Sequence, residues 1–163
     1  MDHAGRSRYS VSAMKVAVGD EAPDFTLPTA GGEPFRLGAL RGRKVVLFFY
    51  PHDETAGCVA QACGFRDVYD ELVDAGAEVV GINGGSIASH RRFAERRGLP
   101  FPIVSDPGNA VRRLYGAYSG LLPTGRVTYL VDEGGIVRDI FSSLLRPLEH
   151  VLRARTWLGT VTR

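Results

Sequence analysis

Residues 44–63 read Lys-Val-Val-Leu-Phe-Phe-Tyr-Pro-His-Asp-Glu-Thr-Ala-Gly-Cys-Val-Ala-Gln-Ala-Cys, and this stretch decides the fold. Lys44–Tyr50 is a β-branched and aromatic run of the length expected for a central strand buried on both faces. Residues 51–57 follow as a turn-rich loop. From Cys58 to Ala75 the apolar residues Val59, Ala62, Cys63, Phe65, Tyr69, Leu72 and Val73 fall at helical spacing, and Gly76 supplies a stop. Strand, loop and helix in that order put the loop across the carboxyl edge of a sheet, where α/β folds build their sites.

Outward from this unit the alternation continues. Two short extended segments, Asp24–Leu27 and Pro34–Leu37, flank the turn at Ala30–Glu33 and predict an N-terminal hairpin. Glu78–Asn83 reads as a second buried strand. Ser86–Arg97 reads as a helix capped by Ser86 and ended by Gly98. A strand at Ile103–Ser105, a short helix at Pro107–Tyr115 and strands at Arg126–Asp132 and Ile136–Ser142 come next, the last two joined by the hairpin signal Glu133-Gly134-Gly135. A helix over Leu148–Leu158 closes the chain. The pattern implies an α/β fold with a mixed central sheet flanked by helices.

The chain has 163 residues, enough for one domain. Residues 1–15 read as a disordered tail and residues 16–163 as the domain. Arg6, Arg8 and Lys15 against Asp2 account for the formal charge of +2, leaving the body neutral. That balance argues against a nucleic-acid partner held by phosphate neutralisation. No apolar run is long enough to span a bilayer and no secretory leader is visible, so the expectation is a soluble cytoplasmic protein with no membrane partner. Two cysteines, Cys58 and Cys63, cannot form a disulfide framework. In a reducing compartment such a pair points to catalysis, redox sensing or metal binding.

The chemistry concentrates in the loop and the helix start. A cysteine in the first turn of a helix meets unpaired backbone N–H groups and the positive end of the dipole, which favour the thiolate. Thr55, three residues earlier, can cap the helix or offer its hydroxyl to a polar ligand at the sulfur. Pro51 fixes the loop and, lacking an N–H, shields one side. Residues five apart in a regular helix are about 8.7 Å apart at Cα and point about 140° apart, beyond the roughly 7 Å limit for a disulfide. Cys58 and Cys63 therefore pair only if the helix unwinds locally. That makes a poor staple and a plausible redox couple. A zinc site is disfavoured, because the spacing is unusual and the histidines are scattered. His3 falls in the tail, His52 reads as a solvated loop residue, and His90 and His150 read as surface residues on helices. The cluster Arg91, Arg92, Arg96 and Arg97 reads as a solvated helix face, and Gly81–Ser86 as a strand-to-helix turn rather than a phosphate cradle.

These residues resemble the peroxiredoxins, specifically the Q-type or bacterioferritin-comigratory-protein subfamily. Pro51, Thr55 and Cys58 match the pattern Pro-x-x-x-Thr-x-x-Cys, and Cys63-Gly-Phe-Arg-Asp67 matches the subfamily's second cysteine with its C-terminal neighbours. Arg126-Val-Thr-Tyr-Leu-Val-Asp132, Gly19–Phe25 and Gly98–Pro107 match further motifs, so the likeness spans about residues 17–158. Ala56 and Val59 depart from the usual Pro and Thr, and Gln61 stands where many relatives carry a Glu that helps orient the arginine. The resemblance implies a thioredoxin-like fold and a cofactor-free, metal-free peroxidase with an antioxidant role. In it Cys58 is the peroxidatic thiolate, Arg126 and Thr55 assist, Pro51 shields, and Cys63 resolves the sulfenic acid as an intramolecular disulfide. A thioredoxin-type dithiol would recycle it, and relatives are monomers or weak dimers. The rival readings are a thiol–disulfide oxidoreductase, whose usual C-x-x-C is absent, and a non-enzymatic redox-regulated binding module or chaperone.

Overall fold

The computed structural model describes residues 15–117 and 125–160. Of the expected tail, residues 1–15, all but Lys15 lie outside them. Strands β1 (Thr26–Pro28) and β2 (Pro34–Arg36) pair antiparallel, with Thr26 opposite Arg36, as the N-terminal hairpin. The central sheet has β3 (Lys44–Phe49) in the middle. β4 (Ala77–Asn83) and β5 (Ile103–Ser105) run parallel on one side of it. β6 (Val127–Val131) and β7 (Val137–Ser142) run antiparallel on the other, giving the order β5-β4-β3-β6-β7. This is the mixed sheet expected from the sequence. No helix among the described residues is long and apolar enough to cross a membrane.

Successive strand side chains point to opposite faces, and the apolar run of β3 accordingly feeds two cores. Val45, Leu47 and Phe49 face a cluster with Tyr115, Tyr129 and the hairpin's Phe25. Val46, Phe48 and Tyr50 face a second cluster with Cys58, Ala62, Phe65 and Phe93. The second core ties the site to the sheet, for Phe48 stacks on Phe65 at a centroid distance of 4.9 Å.

Helix bounds show where local signals suffice. α1 (Ala56–Asp67) and α2 (Tyr69–Asp74) replace the single helix expected from Cys58 to Ala75. The break is at Val68, whose backbone leaves helical values at φ −113°, ψ 11°; apolar spacing continues through it and conceals the joint. α3 (Ile87–Arg97) begins after Ser86, whose hydroxyl accepts the Ser89 N–H, and ends at left-handed Gly98, as expected. The Pro107–Tyr115 helix is instead a 3-10 turn followed by α4 (Ala110–Tyr115), because Gly108 and Asn109 both take positive φ between them. α5 (Pro147–Leu158) closes the fold and packs along α1.

Candidate active site

β3 ends at Phe49, the loop crosses the sheet edge, and α1 starts at Ala56, so Cys58 sits in the first turn. Its residue is 1% exposed, which takes the sulfur out of bulk water. Thr55 is the N-cap residue, yet its hydroxyl does not cap; it donates to the His52 carbonyl at 3.1 Å. The first helical hydrogen bond runs from Val59 N–H to the Thr55 carbonyl, so the N–H groups ahead of it have no intrahelical acceptor. Exposed His52 fits the expectation for a solvated loop residue.

Arg126 arrives from the residue before β6. Its Nη1 lies 3.5 Å from Cys58 Sγ and donates to Gln61 Oε1 at 2.7 Å, while Nε donates to the Leu144 carbonyl. A guanidinium only donates, so the amide oxygen of Gln61 must face it and the NH2 group is turned away. Gln61 thus holds the arginine as a neutral acceptor, one turn below the sulfur. Its Nε2 is buried without a hydrogen-bond partner among the described residues. A side chain at Gly57 would begin 2.7 Å from Arg126 Nη2, so the guanidinium approaches the helix at a place only glycine leaves open.

The structure brings Thr55, Cys58 and Arg126 to one end of α1, with half-buried Pro51 at the loop's start. Cys63 lies on the same helix, half-buried, and both cysteines are free thiols. Beside it α1 makes a close approach to α5: a side chain on Gly64 would fall 2.9 Å from Leu148 Cδ2 and 3.1 Å from Val151 Cγ2.

Three residues that the sequence did not single out shape this site. His90 and His150, expected at the surface, are both 0% exposed. Each has partners at both ring nitrogens, which is what makes burial of an imidazole tolerable. His150 meets Thr128 Oγ1 at 2.8 Å and the Ser143 carbonyl at 2.9 Å. Burial, with the nearby Arg126 and Arg153 charges, pushes its pKa down to about 4 despite the Ser143 bond, so it is neutral at pH 7. Since Leu144 supplies the carbonyl that holds Arg126, His150 braces the arginine's support. The third is buried Arg112, whose Nη2 donates to the Tyr50 carbonyl and Nη1 to the carbonyls of Ala117 and Gly125. It ties the end of β3 to the residue preceding Arg126.

The arginine face of α3 is also less solvated than expected. Arg97 donates twice to Glu54, at 2.6 and 3.1 Å, and Arg91 donates to the Ala30 carbonyl; Arg92 and Arg96 remain exposed.

A cysteine at an open helix start, beside an arginine, on a sheet of this order defines a thiol redox protein of the thioredoxin-like fold. The AhpC/TSA family model matches residues 18–140, and the chain belongs to that family. The chloroplastic peroxiredoxin Q of Sedum lineare is 46% identical over 139 residues, covering 84% of this chain and 75% of the relative. That of Arabidopsis thaliana is 47% identical over 140 residues, covering 84% and 64%. The crystal structure of peroxidoxin BcpB from Mycobacterium tuberculosis superposes with a TM-score of 0.83 at 35% identity, over 91% of this chain and 99% of that one. Peroxiredoxin Q of Xanthomonas campestris gives 0.75 at 27% identity, over 91% and 98%. The chain is therefore a thiol-dependent peroxidase of the peroxiredoxin Q type, with a peroxide as substrate and a thioredoxin-type reductant. The oxidoreductase and binding-module readings are not favoured.

One expectation is overturned. The cytoplasmic placement does not stand, because these curated relatives are named as chloroplastic proteins. Cysteine usage selects a compartment that keeps thiols reduced, and it cannot distinguish one such compartment from another.

Proposed function

We propose that Cys58 is the attacking thiolate of this peroxidase and that Cys63 resolves it. The observation that supports this reading is Arg126 Nη1 at 3.5 Å from a buried sulfur at an uncapped helix start. The guanidinium and the open N–H groups stabilise negative charge on sulfur. The Thr55 hydroxyl and the Cys58 N–H hold the peroxide and stabilise charge developing along the O–O bond. The thiolate attacks one peroxide oxygen and the O–O bond breaks. The departing oxygen takes a proton and leaves as water or an alcohol, and the sulfur, oxidised by two electrons, becomes a sulfenic acid. The first turns of α1 then unwind, the Cys63 sulfur displaces hydroxide from Cys58, and a disulfide and water form. A thioredoxin-type dithiol returns both electrons by exchange, leaving as its own disulfide. Pro51 shields the loop side of the sulfur. Residues 16–163 act as one catalytic domain, working as a monomer or weak dimer without nucleic acid or membrane.

The test is peroxide consumption with thioredoxin and its reductase, with mass spectrometry of the oxidised protein. Cys58→Ser abolishes turnover. Cys63→Ser gives one round of sulfenic acid and then stalls. A Cys58→Ser protein of full activity, or peroxide-treated wild type with Cys63 still free, overturns the reading.

A further inference from the structure

The loop that frames Cys58 is held from α3 as well as from α1. Asp53 and His90 have side chains 7% and 0% exposed, with Oδ2 2.7 Å from His90 Nδ1. The same Oδ2 accepts the Ser89 hydroxyl at 2.7 Å, and Oδ1 accepts the Tyr50 hydroxyl at 2.6 Å. The second ring nitrogen, Nε2, is 3.1 Å from the Asn83 carbonyl oxygen. Asn83 in turn donates its side-chain amide to the carbonyls of Tyr50 and Pro51.

Each hydrogen-bonding atom of this cluster has a partner. The Asn83 carbonyl can only accept, so Nε2 carries a hydrogen. A carboxylate oxygen and a bare ring nitrogen would meet lone pair to lone pair at 2.7 Å, so a second proton lies between Nδ1 and Oδ2. Neutral imidazole has one N–H for these two acceptors, whereas imidazolium has two. Burial alone would raise the Asp53 carboxyl, but the bonds from His90, Tyr50 and Ser89 outweigh it and hold the group below its usual range. Facing or flanking this pair are Tyr50 just after β3, Glu54 from the loop, Ser89 and Arg97 from α3, Asn83 from β4, and Arg112 on the Tyr50 carbonyl.

We propose that His90 is a positioning residue for peroxide reduction, a buried ring held at both nitrogens that anchors Asp53 and through it the Pro51–Thr55 loop beside Cys58. The idea rests on Cys58 being the attacking thiolate. His90 touches neither sulfur nor substrate. It fixes the segment that carries the Thr55 hydroxyl, and a displacement of about 1 Å in such a group costs up to about 100-fold in rate.

Two measurements on the full chain test it. Nitrogen NMR of wild-type protein labelled at histidine, with the His90 signals assigned by their loss in His90→Gln, is expected to show both ring nitrogens engaged in hydrogen bonds at pH 7. A ring nitrogen outside any hydrogen bond overturns the proposal, and this readout needs no variant to be active. The second is rapid mixing with hydrogen peroxide. His90→Leu is expected to slow Cys58 oxidation about 10-fold while the ultraviolet titration of the thiolate stays that of wild type. In an Asp53→Asn background, where no buried carboxylate is orphaned, the same change is expected to cost under about 3-fold. A His90→Leu rate within about 2-fold of wild type, or an equal loss in both backgrounds, sinks it. Failure of wild type itself to oxidise at Cys58 would instead remove the Cys58 reading, which the same traces report separately.

Discussion

The starts of α1 and α3 stand on the same edge of the sheet, after parallel strands β3 and β4, and each has a hydroxyl residue at its N-cap. They use it in opposite ways. Ser86 accepts the Ser89 N–H and closes the start of α3, and Gly98 closes its end. Thr55 turns its hydroxyl to the His52 carbonyl and leaves the first turn of α1 uncapped. A cap is worth about 1 kcal/mol. At α3 that stability is collected, and the helix then serves as a fixed post for Asp53 and Glu54. At α1 it is forgone, and the open donors remain for a thiolate and its peroxide.

Substitutions separate the two ends, with the largest effect at α1. Arg126→Met is expected to lower the rate of Cys58 oxidation about 1000-fold, measured by stopped-flow against hydrogen peroxide, with little change in far-ultraviolet circular dichroism. Acid acts next. Above the ordinary histidine value of 6.5, neither folded nor unfolded His150 is charged; as pH falls toward about 4, only the unfolded chain takes the proton. Stability is therefore lost across that window, by up to about 3 kcal/mol, and urea melts of wild type and His150→Gln should converge in acid. The Asp53 cluster at α3 gives way only later, below the usual aspartate value of 3.8, since its carboxyl is held lower still.

Thr55→Val is expected to slow peroxide reduction about 100-fold yet shift the unfolding free energy by less than about 0.5 kcal/mol. Ser86→Ala should do the reverse, costing about 1 kcal/mol with the peroxide rate unchanged. Equal stability losses in the two variants would erase the contrast between the ends.

Features written in neighbouring residues were legible in the sequence. Ser86 and Gly98 marked both ends of α3, and Pro51, Thr55 and Cys58 announced the site within a single loop and turn. The break at Val68 was hidden because no glycine or proline marks it. The histidines were misplaced for a different reason. Whether an imidazole can be buried depends on acceptors far along the chain: Asp53 lies 37 residues from His90, and Thr128 lies 22 from His150. Arg112 escaped notice likewise, with the Tyr50 carbonyl 62 residues away. Arg126 is as remote, 68 residues from Cys58, and only the motif around it gave it away.

The close approach at Gly64 sets a clock. In the proposed cycle, unwinding that begins at Ala56 would meet the close packing of Leu148 and Val151 at Gly64, which would hold the melted stretch to about two turns. Helical residues add in about a nanosecond each, and turns of this length re-form in well under a microsecond. On that scheme the folded site would be restored almost as soon as the disulfide is cut. Its return to service would then be timed by the arrival of electrons rather than by the helix.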